Sequence, residues 1–264
     1  MSLFKLICFS ILIMPIFSCK TENNGILPPK NRILVIGDLH ADFQKTKQIF
    51  IDLNLIDDNE NWVAEPKDTI VVQLGDQLDG GGRGNKESYG EFSLINFMDR
   101  IHEKAEKTNG GVYSLIGNHE IMNLLGDFRY SSEKDIELQG GLELRKKLFS
   151  PGSDIFNKMS CTRNVVLKVG DFMFVHAGVL PEHISNTDKN SFIKKINSLM
   201  RLYLQGKKTW QDKDIQKYFL DKDGVIWTRK YGNSKPSCNK FDKVSIKTIV
   251  IIYSLTNLYL VLSI

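Results

Sequence analysis

Residues with the chemistry of metal ligands stand at the ends of four apolar runs of this 264-residue chain. They comprise carboxylates, an amide and imidazoles, at positions Asp38, His40, Asp76, Asp79, Asn118, His119 and His176. Mixed oxygen and nitrogen donors of this kind suit Mn, Fe or Zn better than Ca or a thiolate-preferring ion. A metal site is therefore the leading interpretation of the pattern.

The spacing of these residues suggests what such a site would do. Asp38 and His40 are two residues apart, so on extended backbone their side chains point the same way and can reach one ion. The two oxygens of Asp76 can bridge two ions, and Asn118 and His176 supply further donors. Two ions roughly 3.5–4 Å apart are a common arrangement for in-line displacement at phosphorus.

His119 follows Asn118 directly and is expected to face another way, on a strand or turn. It suits proton donation to a leaving group, and Asp79 could orient its ring. Taken alone, each fragment has an ordinary explanation, because Gly-Asp pairs favour turns and single histidines are mostly structural. That ordinary explanation is the one adopted for His102 and His183. The ordered co-occurrence of the four fragments is what makes the set specific.

The elements that must position these residues alternate along the chain. Each of the four apolar runs is typical of a buried strand, and sites in α/β sheets form at the carboxyl ends of strands. Apolar residues at helical spacing predict helices between the strands, and a glycine-aspartate turn at Gly170-Asp171 predicts a hairpin. This alternation indicates an α/β fold. The predicted helices and hairpin strands are 42–53, 91–107, a helix-rich insertion up to 149, strands 164–168 and 172–175, and helices 190–204 and 212–219.

The ordered motifs Asp-x-His, Gly-Asp-x-x-Asp, Gly-Asn-His-Glu and His-Ala-Gly resemble the calcineurin-like metallophosphoesterases, and within them the phosphoprotein phosphatase branch. Residues 117–123 and 126–130 are most similar to the Shewanella-like protein phosphatases. The resemblance implies an α/β four-layer α-β-β-α sandwich and two divalent metal ions, Mn, Fe or Zn.

By motif match, the resemblance also implies roles for the residues above. Asp38, His40 and Asp76 would hold the first metal, and Asp76, Asn118 and His176 the second. Asp79 and His119 would form the catalytic pair. The implied function is a phosphoesterase that hydrolyses phosphomonoesters by direct attack of metal-bound hydroxide, on a phosphorylated protein or a small phosphomonoester.

Two departures from the family pattern bear on that function. Gly80 stands where the family has a phosphate-gripping Arg. Arg129 is the better replacement, with Asn118 as a further phosphate contact, and Arg83 is either a substitute or an ordinary exposed loop residue. The second metal site of the family includes a late His, whereas no His follows His183 here.

The missing His leaves other functions open. A truncated or a divergent end would explain its absence. One alternative is a degenerate, non-catalytic phosphate-binding domain tethered to a membrane. Another is a nucleotide or diester hydrolase of the same fold.

The remaining segments suggest localisation. We expect a signal peptide or N-terminal anchor at 1–19, a linker at 20–30, the metallophosphoesterase domain at 31–243 and an apolar tail at 244–264. The tail is a membrane anchor or a buried strand. We therefore expect an exported or membrane-associated protein. The net charge of +4 is scattered, so no nucleic-acid partner is expected. Cys161 and Cys238 could pair in an oxidising compartment.

Overall fold

A computed structural model describes residues 24–81 and 90–231, and the backbone of two strands at 247–248 and 259–263. The strands in chain order are β1 Ile26–Leu27, β2 Arg32–Ile36, β3 Ile70–Gln73, β4 Gly111–Ser114, β5 Val166–Val169, β6 Phe172–Val175, β7 Lys247–Thr248 and β8 Tyr259–Ser263. The helices are α1 Phe43–Asp52, α2 Glu91–Glu106, α3 Asn118–Leu124, α4 Glu133–Leu138, α5 Leu142–Leu148, α6 Asp154–Thr162, α7 Pro181–Ile184, α8 Lys189–Leu204 and α9 Lys213–Ile215, which continues as a π-helical turn Gln216–Leu220.

The described strands form two four-stranded sheets. One has the order β4-β3-β2-β8, in which β2, β3 and β4 are parallel and β8 is antiparallel to β2. The other has the order β1-β5-β6-β7, with the predicted hairpin β5-β6 at its centre. Parallel β2, β3 and β4 therefore bring their carboxyl ends to one edge, where a site is expected.

Successive side chains of each strand point to opposite faces of its sheet. The buried residues therefore form three hydrophobic clusters, which lie between four layers of structure. Ile33 and Val35 of β2 pack between the sheets, against residues such as Phe174 of β6. Leu34 and Ile36 point the other way and pack against α1 and α2. The outer faces of β5 and β6 pack on α6 and α8 in the largest cluster. Because successive strand residues face opposite sides, this pattern confirms the predicted α-β-β-α sandwich.

Local sequence accounts for most helix boundaries. α1 begins after Asp42, whose side chain accepts the backbone N–H of Lys45, and ends before Leu53, so the predicted helix is confirmed. α2 lies within one residue of its predicted end. The three strands β2, β3 and β4 stop earlier than predicted, and Asn118 begins a helix rather than ending a strand.

Three strands lie outside the range 31–243 predicted for the domain. β1 lies within the segment predicted as a linker and pairs with the edge of β5, which satisfies backbone groups that the edge would otherwise leave open. Within the predicted tail, β7 and β8 add a strand to each sheet, which favours the strand alternative there. The predicted signal peptide and Arg83 lie outside the described residues. None of the described helices has the length and apolar character needed to cross a membrane.

Candidate active site

Backbone hydrogen bonds tie together the loops that follow β2 and β3. Leu39 and His40 both donate to the carbonyl of Asp76, at 3.0 and 2.9 Å, and Ala41 donates to Gln77 at 2.9 Å. The two loops are therefore fixed relative to each other before any ligand is considered. Their side chains meet at the carboxyl edge of the first sheet.

The backbone of these loops is strained. His40, Ala41, Asp76 and Asp79 all have positive φ, between 44° and 67°. Such conformations cost roughly 1–3 kcal/mol each in residues with a side chain, and they cluster at functional sites. Gly75 allows the β3 loop to approach α3, because a Cβ there would lie 2.5 Å from the backbone nitrogen of Gly117. A larger residue at this position would push the donor loops apart.

Glu120 fixes the loop that follows β3, called the β3 loop here, which includes residues 74–79. Its buried carboxylate accepts backbone N–H groups from Asp76 at 2.9 Å, Gln77 at 2.8 Å, Leu78 at 3.2 Å and Gly117 at 2.7 Å. One carboxylate thus satisfies four donors that the tight turns leave without a backbone partner. The sequence analysis quoted Glu120 only as part of a motif. Its position three residues after Gly117, in the first turn of a helix, was the available signal.

Two sets of donor atoms converge at this edge, and both include Asp76. His40, Asp76 and His119 form one set, and Asp38, Asp76 and His176 form the other, with all donor atoms of a set within 4.8 Å of one another. His176 Nε2 lies 3.5 Å from Asp76 Oδ2 and 2.8 Å from Asn118 Oδ1. Every residue predicted to hold a metal is therefore present in one cluster. The shared position of Asp76 is the geometry expected of a bridging carboxylate.

The composition of the first set differs from the predicted grouping. His119 Nε2 lies 3.9 Å from Asp76 Oδ2 and shares a set with His40, whereas Asp38 belongs with His176. Asp38 still lies 3.7 Å from His40. The reason is that His119 lies in the first turn of α3 rather than on a strand, and its ring centre is 4.8 Å from that of His40.

The donor set fits metal ions. Backbone carbonyls fix both rings, with His40 Nδ1 3.1 Å from Leu78 O and His176 Nδ1 2.9 Å from Leu74 O. Such contacts select the tautomer whose Nε2 is free to coordinate. His40 Nε2 is buried and has no hydrogen-bond partner among the described residues. A buried polar atom of this kind calls for a ligand, and a divalent cation supplies one.

Asp79 and His119 form a buried pair beside the donor cluster, with His119 Nδ1 2.8 Å from Asp79 Oδ2. Burial would lower the pKa of His119, but the hydrogen bond to Asp79 and the charges of Asp76 and Asp79 outweigh it and raise the pKa. Burial would likewise raise the pKa of Asp79, yet hydrogen bonds from His119, Asn123 and Ser131 hold it below its usual range. The pair therefore favours a protonated imidazole on an ionised carboxylate.

The arginines predicted to bind phosphate occupy different environments. Arg129 is exposed and pairs with Asp127 through two contacts of 2.9 and 2.7 Å. Arg229, which the sequence analysis did not single out, is half-buried, and the carboxylates of Asp76 and Asp38 act on its charge. Burial nevertheless lowers the pKa of Arg229. It follows the last donor residue, His176, by more than 50 positions, and the fold brings it to this edge.

The two histidines expected to be structural make backbone contacts. His102 Nδ1 accepts the N–H of Val112 at 3.1 Å, which joins α2 to β4. His183 Nδ1 accepts the N–H of Leu180 at 3.1 Å at the start of α7. Neither belongs to the donor sets.

Comparison with known proteins places this geometry in a family. The sequence profile of the calcineurin-like phosphoesterases matches residues 31–254. The chain is 28% identical to Shewanella-like protein phosphatase 2 of Arabidopsis thaliana over 82% of its own length and 61% of that protein. It is 30% identical to Shewanella-like protein phosphatase 1 of Plasmodium berghei over 79% of its length and 54% of that protein. The chain thus spans between half and two thirds of these relatives.

Solved structures show the same fold. A cold-active protein-tyrosine phosphatase of a psychrophilic Shewanella species superimposes with a TM-score of 0.70 at 23% identity, over 83% of this chain and 63% of that one. The family profile covers most of the chain, including every described donor residue. The chain therefore belongs to the calcineurin-like phosphoesterase family.

Proposed function

We propose that this metallophosphoesterase is a protein phosphatase that transfers the phosphoryl group of a phosphomonoester directly to water, with no phosphoenzyme. The observation that carries the proposal is Asp76, which is shared by two donor sets and lies beside the buried Asp79–His119 pair. The relatives from Arabidopsis thaliana and Plasmodium berghei are both named as protein phosphatases, which supports the class of substrate.

The chain's own residues divide the work. Asp38, Asp76, Asn118 and His176, together with His40, would hold two divalent ions, for which Mn, Fe and Zn all suit the donors. When bound, such ions supply Lewis-acid activation of water and neutralise charge on phosphate oxygens.

His119 would act as the general acid. Its Nδ1 is held by Asp79, so the Nε2 proton is available to the oxygen that leaves phosphorus. The same Nε2 lies within the first donor set, so His119 is either the acid or a ligand. The hydrogen bond to an ionised Asp79 favours the acid, because it stabilises the protonated ring.

Arg229 is the stronger candidate for binding phosphate, and Asn118 is a further one. A guanidinium near Asp76 and Asp38 would face the oxygens of a phosphoryl group lying over the donor cluster. Arg129 is engaged with Asp127 and would have to leave that pair to take part. Tyr130 stands at the rim, with its ring centre 5.2 Å from that of His119, and offers an aromatic wall to the substrate.

The test is phosphatase activity of the full chain on an aryl phosphate and on phosphopeptides, with Mn²⁺, Fe²⁺ or Zn²⁺ added after chelation. We expect metal-dependent turnover, about two ions per chain by elemental analysis, and far weaker hydrolysis of an aryl phosphodiester. A preference for the diester would favour the nucleotide or diester alternative. Phosphate binding without turnover at full metal loading would favour the degenerate binder, which the glycine at position 80 makes worth testing.

Export is proposed on two features. A basic residue followed by an apolar run at 6–17 resembles a secretory signal. Cys161 is disulfide-bonded, and disulfides persist in oxidising compartments. Fractionation of cells that make the full chain, followed by thiol alkylation with and without reductant, tests this directly. A cytoplasmic chain with a reactive Cys161 would contradict export.

A further inference from the structure

A buried arginine outside the donor cluster reaches the Asp79–His119 pair from the helix-rich insertion. Arg145 of α5 has no exposed surface. Its guanidinium donates to Glu91 Oε2 at 2.7 Å and Oε1 at 3.0 Å, to Gln139 Oε1 at 2.6 Å and to Asn123 Oδ1 at 2.6 Å. It also lies 3.5 Å from Asp79 Oδ1.

Asp79 is surrounded by donors that these contacts organise. Its Oδ2 accepts from Asn123 Nδ2 at 2.9 Å as well as facing His119, and its Oδ1 accepts from Ser131 Oγ at 2.7 Å. Its backbone N–H donates to Glu91 Oε1 at 3.0 Å. Arg145 bonds both Glu91 and Asn123, so it holds the partners of Asp79 from two sides.

The planar shape of the Arg145 guanidinium allows it to bond Glu91 and Asn123 at the same time. Its carbon lies 4.4 Å from the ring centre of Phe149 and 5.1 Å from that of Phe128, so it stacks on aromatic side chains while its edge makes the hydrogen bonds. A lysine ammonium at the same place has the charge but not the planar fork. It could not reach Glu91, Asn123 and Gln139 together.

We propose that Arg145 and Ser131 are positioning residues for general-acid catalysis. The insertion that carries them fixes the Asp79 carboxylate, and Asp79 in turn aims the His119 ring at the leaving oxygen. Neither residue touches the substrate. This inference rests on the proposed role of His119 as the acid.

The readout that separates positioning from mere stability is the dependence of turnover on the leaving group. An aryl phosphate such as p-nitrophenyl phosphate has a weakly basic leaving oxygen and needs little protonation, whereas an alkyl phosphate or phosphoserine peptide needs a proton donor. A misaimed acid therefore slows the alkyl substrate more than the aryl one. A general loss of folded protein slows both equally.

The experiment compares four variants of the metal-loaded full chain. Arg145→Lys should slow alkyl-phosphate turnover by roughly 10- to 100-fold more than aryl-phosphate turnover, the scale of a misplaced catalytic group. Ser131→Ala removes one hydrogen bond at a half-buried position and should give a selective loss of roughly 3- to 10-fold. Because Ser131 is not in the core, this variant keeps the test decisive if Arg145→Lys fails to fold.

Two further variants provide the references. Arg163→Lys is the matched control, since Arg163 is a second buried arginine paired with an acid of α2, Asp99. The other described hydrogen bonds of its side chain reach Thr162, Ile95 and, in the β3 loop, Gln77, but neither Asp79 nor His119. We expect it to lower the melting temperature without changing the ratio of the two turnovers. His119→Ala sets the full size of the leaving-group effect.

The outcomes distinguish the inference from the function on which it rests. A selective effect in His119→Ala that is absent from both Ser131→Ala and Arg145→Lys would overturn the positioning role alone. No selective effect in His119→Ala would overturn the proposed acid, and with it the inference. An equal selective effect in Arg163→Lys would show that any buried ion pair suffices and would also overturn the proposal.

Discussion

The donor edge, formed by Asp38, His40, Asp76, Asn118 and His176, lies beside the acid pair, Asp79 and His119, and the two are built in opposite ways. At the donor edge, His40 Nε2 is buried and has no hydrogen-bond partner among the described residues, and the Asp38 side chain is 30% exposed. At the acid pair, Asp79 is fully buried and both of its oxygens accept hydrogen bonds. The donor edge can therefore accept a ligand, whereas the carboxylate of Asp79 already has hydrogen-bond partners for both oxygens.

This contrast indicates two kinds of preorganisation. A metal site must leave lone pairs free and orient them, which short loops at strand ends do through backbone contacts. A proton donor must keep one orientation through repeated turnovers, which needs a saturated network behind it. The following predictions test each side of the contrast, from the largest expected effect to the smallest.

Replacing Asp76, which belongs to both donor sets, should have the largest effect on metal binding. In Asp76→Asn the carboxylate common to both donor sets becomes a neutral amide, and we expect a fall in turnover of roughly 10³-fold or more together with a loss of bound metal, because the Lewis-acid stabilisation that the ions would supply is worth several kcal/mol. Metal content and hydrolysis of an aryl phosphate are measured together. Asp52→Asn, at an exposed position of α1, is the control. Unchanged metal content in Asp76→Asn would contradict the bridging role.

Replacing His119 should show whether proton donation and metal binding depend on different residues. His119→Ala should lower alkyl-phosphate turnover by roughly 10²- to 10⁴-fold while metal content stays near that of the unmodified chain. Elemental analysis decides the matter, since His119 also lies within a donor set. If metal and turnover fell in parallel, His119 would be a ligand, and the division between donor edge and acid pair would not hold. His102→Asn changes a histidine outside the site and should leave turnover unchanged.

The two arginines should differ in their effect on phosphate. Arg229→Ala should raise KM for an aryl phosphate by roughly 10-fold or more, since hydrogen bonds to charged groups contribute about 1.5–3 kcal/mol. Arg129→Ala should have a smaller effect, because Arg129 is exposed and bound to Asp127. Inhibition by inorganic phosphate gives an independent measurement. The reverse order would restore Arg129 as the main phosphate contact.

The hydrogen bonds to Asp79 should also affect how the free energy of unfolding depends on pH. Because the pKa of Asp79 is lowered in the folded state, its ionised form stabilises the fold above the unfolded value near 3.9, and this stabilisation is lost as the pH falls below that value. Urea unfolding of the metal-free chain between about pH 2 and 5 should show a shallower dependence of the unfolding free energy on pH in Asp79→Asn, by up to one proton. An identical slope in both chains would mean that the Asp79 network contributes no linked stability.

The fold and the donor residues could be predicted because their signals are local. Apolar runs that end in Asp, His or Asn mark strands and their carboxyl ends, and Ile33 to Ile36 show the alternation expected of a strand buried on both faces. The grouping of ligands was harder, since it depends on whether Asn118 ends a strand or begins a helix. The hydrogen bond from Gly117 to Glu120 is a local signal for the helix, whereas the bond from Asp76 to Glu120, which fixes the helix against the β3 loop, is a tertiary contact.

The sequence analysis gave no role to Arg145 or Arg229, because each lies far along the chain from the carboxylates near it in the structure. Arg145 is 66 positions beyond Asp79 and resembles any basic residue in an amphipathic helix until its burial is known. Arg229 follows the described donors by more than 50 residues. In neither case does spacing carry information, because loop lengths do not fix where a helix or turn docks.

The sequence by itself determined which atoms are available and that they stand at strand ends, since side-chain chemistry and strand periodicity are properties of neighbouring residues. Only the tertiary structure decided which donor atoms lie close together, which arginine lies near Asp76 and Asp38, and which side chains hold Asp79 beside His119. Those relations join segments that are distant along the chain, and they are set by packing of the two sheets and the insertion rather than by any local preference.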